Sequence, residues 1–118
     1  MNKEVKIKSN PEKFFIQYLN LLSPITKIGG KEEEVLAELM YQNYVKSHIP
    51  EDDRFKLIFS STMRASMCER LNISGAVFRN AISKLRKSGV IVEDKLHKSF
   101  IIELSENMEI KFKFTIDL

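Results

Sequence analysis

Arg79, Asn80, Lys84, Arg86 and Lys87 fall within nine residues of one another. A guanidinium offers a rigid fork of donors to paired oxygens, and an ammonium offers a compact point charge. An amide side chain adds one donor and one acceptor face. This set suits recognition of an anion better than bond making or breaking. The wider charge distribution agrees. Residues 1–59 hold 9 Lys/Arg and 9 Asp/Glu, which cancel, whereas residues 60–100 hold 8 against 3. Residues 101–118 hold 2 against 4, so the surplus behind the formal net charge of +3 sits in the middle segment. A local basic excess of this kind attracts polyanions.

Other reactive side chains lack the spacing that chemistry requires. His48 and His97 are far apart, and neither belongs to a metal-ligand motif. Glu32, Glu33 and Glu34 are consecutive, so on a helix they point around the axis instead of converging; in a first turn they suit the exposed amides. Gly29-Gly30 lacks the Lys-Ser/Thr that completes a phosphate loop. Cys68 reads as a small buried hydrophobe, not a nucleophile. No enzyme activity and no cofactor is expected. A single cysteine excludes an intrachain disulfide and suits a reducing cytoplasm. No apolar run approaches the roughly 18–20 residues that span a membrane, and the polar start MNKEVKIKSN has no signal-peptide core.

The elements that must position these residues follow from apolar spacing. With 43% hydrophobic and 30% charged residues, 118 residues suit one domain. Residues 1–10 read as an extended arm, with Val5 and Ile7 alternating with lysines. Asn10-Pro11 opens a helix over 11–22 with Phe14, Phe15, Tyr18, Leu19 and Leu22 on one face, and Ser23-Pro24 ends it. A second helix is expected from Lys31 to about Ser47, with Asn43 as a polar exception near the edge of its apolar face. Residues 55–59 (FKLIF) suit either a short helix or a short strand.

A helix from about Thr62 to Leu71 is expected next, then a break at Asn72-Ile73-Ser74, with Ser74 as N-cap. The following helix runs from Gly75 to Ser88 and stops at Gly89. Phe78, Ala81, Ile82 and Leu85 form its apolar face, away from the basic residues. Val90-Ile91-Val92 and Ser99 to Leu104 read as strands joined by a polar turn. Residues 108–116 alternate strictly, which predicts a further strand. It would be a third strand extending the wing sheet, or a dimerisation element together with helix 11–22.

Helix, tight turn, helix, glycine and hairpin is a recurring order. The stretch MCERLNISGAVFRNAISKLRKSGVIV resembles the core of winged helix-turn-helix regulators and replication initiators. The resemblance covers about residues 60–104 and implies an α+β winged helix-turn-helix fold with an added N-terminal helix. It also implies a function: double-stranded DNA binding as a small transcriptional regulator or replication-associated factor, often as a homodimer. Helix 75–88 would then enter the major groove, with Arg79 on guanine, Asn80 on adenine, and Ala76 and Val77 against thymine methyls. Lys84, Arg86 and Lys87 would hold flanking phosphates. A wing tip from Asp94 to Ser99 would add Lys95, His97 and Lys98, and Ser61, Thr62 and Arg64 would anchor a phosphate near the preceding helix. Gly75-Ala76-Val77 departs from this pattern, since such a first turn is usually more polar. A structural or adaptor role, with a protein partner in place of DNA, is the alternative.

Overall fold

The computed structural model describes the backbone of residues 2–8, 11–101 and 109–115. Five helices dominate: α1 (Pro11–Thr26), α2 (Gly30–Val45), α3 (Glu51–Ile58), α4 (Ser61–Leu71) and α5 (Gly75–Lys87). The described strands are β1 (Asn2–Lys8), β2 (Ile91–Val92), β3 (Lys95–Leu96) and β4 (Glu109–Thr115), with a 3-10 turn at Lys98–Phe100.

This architecture overturns the expected winged fold with an extended wing sheet. The described strands make two separate two-stranded ribbons, β1–β4 and β2–β3. β4 does not extend the wing. It runs antiparallel to β1, with Val5 opposite Phe112, Ile7 opposite Ile110 and Glu4 opposite Lys113. Apolar positions meet at Val5 and Ile7, whereas Phe114 stands opposite Lys3. That pairing also occupies one edge of the strand expected to serve dimerisation. The part of the returning strand that was expected over Ile102 and Leu104 lies outside the described residues.

Residues 55–59 are mostly helical, which removes the small first strand of a winged helix. Pro50 is extended (φ −53°, ψ 145°), and its carbonyl accepts from the Arg54 N–H at 2.8 Å. Glu51, Asp52 and Asp53 place negative charge in the first turn, where exposed amides favour it. Phe55 and Ile58 are buried while Lys56 and Leu57 are exposed, a spacing of three and not two.

α1 runs past Ser23-Pro24 to Thr26. Pro24 cannot donate to the Asn20 carbonyl, but the Ser23 hydroxyl does so at 3.1 Å. The acceptor orphaned by proline is therefore satisfied, and the helix continues for most of another turn.

α2 is the central element, packed against α1, α3, α4 and α5. Val35, Leu36, Leu39 and Met40 are at most 1% exposed, and Glu33, Glu38, Gln42 and Asn43 are buried too. Asn43 is thus no boundary residue. Phe14, Phe15 and Leu19 from α1, Phe55 and Ile58 from α3, Met67 from α4, and Phe78, Ala81, Ile82 and Leu85 from α5 join α2 in one core.

The hairpin is short because it turns at once. Glu93 and Asp94 both have positive φ (52° and 55°), which closes a two-residue loop between Val92 and Lys95. Glutamate is poorly suited to this left-handed backbone. Glu93→Asn is expected to raise stability by about 0.5–1 kcal/mol, read as a higher urea midpoint at unchanged slope.

Candidate nucleic-acid interface

α5 is defined at both ends by its own sequence. The Ser74 hydroxyl accepts from the Val77 N–H at 3.2 Å and caps the first turn. At the other end Gly89 adopts φ 81°, its N–H donates to the Arg86 carbonyl at 3.1 Å, and the Val90 N–H donates to that of Leu85 at 3.0 Å. This paired arrangement needs a left-handed residue, which glycine supplies without strain. α4 ends in the same way, with Asn72 at φ 54° in the left-handed position. Ser60 caps α4, its hydroxyl accepting from the Met63 N–H at 3.3 Å. The two helices and their tight turn are therefore locally determined.

With Phe78, Ala81, Ile82 and Leu85 inward, helical geometry turns Ala76, Asn80, Ser83 and Lys87 outward as one ridge. All four are exposed. Arg79 and Arg86 lie on one flank of this ridge. Lys84 and the half-buried Val77 lie on the other, facing a shallow hollow shared with Lys31 and Glu32 of α2. Arg79 and Asn80, both expected to read base edges, thus diverge by about 100° around the axis. The Arg79 guanidinium folds back over the first turn, where a methyl group on Gly75 would lie 3.5 Å from its Nη1.

The expected phosphate-binding cations divide into two groups. Lys84 pairs with Glu32 at 3.1 Å, Arg86 with Asp94 at 2.6 Å, and Lys95 with Asp52 at 2.5 Å and Glu51 at 3.8 Å. Arg64, Arg79, Lys87 and Lys98 have no carboxylate partner among the described residues. The Glu32 carboxyl is held below its usual range, first by a backbone N–H at its helix start and then by Lys84.

The basic wing is a second correction. The hairpin tip is Glu93-Asp94, not Asp94 to Ser99, and it is acidic. Lys95 sits in β3 and is tied to the acidic first turn of α3. Its ammonium lowers the Asp52 pKa, so this tie is complete above the usual carboxylate range and is lost as pH falls through the depressed Asp52 value. His97 and Lys98 lie past the hairpin. The His97 N–H donates to the Val90 carbonyl at 2.7 Å, and its Nδ1 accepts from the Ser99 N–H. His97 and Ser99 border the glycine stop of α5, away from the tip.

Ser61 and Thr62 are exposed in the first turn of α4. Arg64, one turn on, meets Arg79 and Arg86 around a cavity of about 370 Å³ between α3, α4, α5 and the hairpin tip. This grouping was not anticipated. Arg79 and Arg86 are seven residues apart, two helical turns, so their shared flank could have been read from spacing. Arg64 and Asp94 join only through the fold.

Cys68, expected to be buried, is only half-buried, its Sγ 4.0 Å from the Ser74 carbonyl. Among the described residues no helix is long and apolar enough to cross a membrane, and no cluster of His, Cys, Asp or Glu could hold a metal. No protein-family model, no curated protein and no solved structure matches the chain. The resemblance of residues 60–104 to winged helix-turn-helix proteins therefore has no support from these comparisons.

Proposed function

We propose that the protein binds double-stranded DNA through α5, as a small regulator or replication-associated factor, without help from a basic wing. The observation that carries this reading is the exposed ridge Ala76-Asn80-Ser83-Lys87, flanked by Arg64 and Arg79, which have no carboxylate partner among the described residues. In the major groove Asn80 would meet an adenine edge, and the Ala76 methyl would meet a thymine methyl. Lys87, Arg79 and Arg64 would hold phosphates on either side. Few polar side chains reach the base edges, so affinity comes mainly from the backbone. A labelled random-sequence duplex titrated with protein at low salt tests this. Saturable binding is expected, weakened at least tenfold by Lys87→Glu, which reverses a charge at the C-terminal end of the ridge. Absence of binding removes the reading.

One observation favours a protein partner on the same surface. The first turn of α5, Gly75-Ala76-Val77, offers no polar side chain, and three of the expected cations are already neutralised within the chain. If no duplex binds, an adaptor role is the reading that remains.

A further inference from the structure

The cavity between α4 and α5 combines two features that a DNA backbone would use only in part. Its rim carries Arg64, Arg79 and Arg86 with Ser83. Among the described residues Asp94 is the one carboxylate that lines it, and it is already committed to Arg86 at 2.6 Å. Guanidinium groups stay charged at any pH the protein survives, so the rim keeps an excess of two positive charges. The apolar surface of the cavity is offered chiefly by the half-buried Phe59, backed by Met67, Phe78 and Ile82, which are at most 8% exposed. A bare phosphate would meet the rim and leave the apolar floor unused. A neutral hydrocarbon would meet the floor and leave the guanidiniums unpaired. A volume of about 370 Å³ lies within the range that takes small organic ligands.

We infer that this cavity binds an organic anion with a flat apolar body, of the arene carboxylate class. The acid group would take Arg64 and Arg79, and the ring system would lie against Phe59. Asp94 competes with the ligand's acid group for the rim. It sits in a left-handed backbone position that asparagine also tolerates, so Asp94→Asn removes its charge without disturbing the turn. The binding claim stands on the cavity alone. A second consequence rests on the DNA reading above: ligand and duplex would share Arg64 and Arg79, and so exclude one another.

The test is a titration of the full chain with 1-naphthoate, followed by backbone amide NMR shifts. A dissociation constant of about 1 mM or tighter is expected for a ligand of this size, with shifts centred on residues 58–67, 78–86 and 94. Asp94→Asn should tighten binding about threefold or more. Arg64→Ala with Arg79→Ala should weaken it at least tenfold, as should replacing the ligand by neutral 1-naphthalenemethanol or by inorganic phosphate. Equal binding of the neutral analogue, shifts centred elsewhere, or no gain from Asp94→Asn would overturn the site. Because Asp94→Asn is a gain of affinity, misfolding of the double variant cannot imitate it. Adding 1-naphthoate to a duplex titration separates the two claims. Naphthoate binding without duplex binding ends the DNA reading and leaves the cavity standing, and the reverse ends the cavity claim. Binding of both without competition overturns the shared arginines.

Discussion

Arg70→Met is expected to destabilise the protein by about 3 kcal/mol, roughly a 10–15 °C fall in thermal midpoint. Arg70 leaves the last turn of α4, and its Nε donates to Glu38 Oε1 on α2 at 2.7 Å. Its Nη2 reaches Glu12 of α1 at 3.2 Å, and its guanidinium lies 5.1 Å from the centre of the Tyr41 ring. Three helices therefore meet on one cation. Glu38 is only 6% exposed, and its other bond comes from Gln42 Nε2 at 2.9 Å. Gln42 in turn accepts from Lys46 at 2.6 Å. Removing Arg70 leaves a buried carboxylate with one neutral donor and no counter-charge, which is where the cost arises. Two controls separate this from simple loss of packing. Arg70→Met with Glu38→Leu should be less destabilised than Arg70→Met alone. Glu12→Ala, which loses only an exposed partner, should cost less than about 1 kcal/mol.

Arg64→Ala with Arg79→Ala is expected to weaken duplex binding about a hundredfold at low salt. Among the described residues neither guanidinium has a carboxylate partner, and each would make one charge-assisted phosphate contact, worth about tenfold. The pair should also reduce the slope of log affinity against log salt by about 2. A matched comparison shows why these two cations matter more than others of equal charge. Lys95→Ala with Asp52→Ala removes an ion pair that is already neutral, and should change affinity less than about threefold. Equal losses from both double variants would mean that binding is not centred on the α5 surface, since removing Lys95 together with Asp52 leaves the net charge unchanged.

Much of α5 was legible because its determinants are local. Ser74, the apolar set Phe78-Ala81-Ile82-Leu85 and Gly89 are all within two residues of the helix or inside it. The break at Asn72 was legible for the same reason, since a left-handed stop needs a residue that tolerates it. Residues 55–59 were ambiguous because five residues are too few to separate a period of two from one of three; the acidic turn of Glu51-Asp52-Asp53 decides it. The strand at Glu109–Thr115 was legible as a strand, but alternation says nothing about its partner, and β1 lies more than a hundred residues away. The basic surface suffered most. Glu32 is 52 positions from Lys84, and Asp52 is 43 from Lys95, so no local pattern showed that those cations were spoken for. Counting lysines and arginines overstated the charge that a polyanion would meet. It also hid the cluster of Arg64, Arg79 and Arg86.

The central claim is that α5 and its flanking cations bind duplex DNA through the phosphate backbone. Its most direct test is the affinity of the unmodified protein for a random-sequence duplex of about 20 base pairs, measured by fluorescence anisotropy from about 50 to 300 mM salt. Arg64, Arg79 and Lys87 acting together predict a log–log slope of about −3. No binding at the lowest salt, or an affinity that does not change with salt, would contradict it.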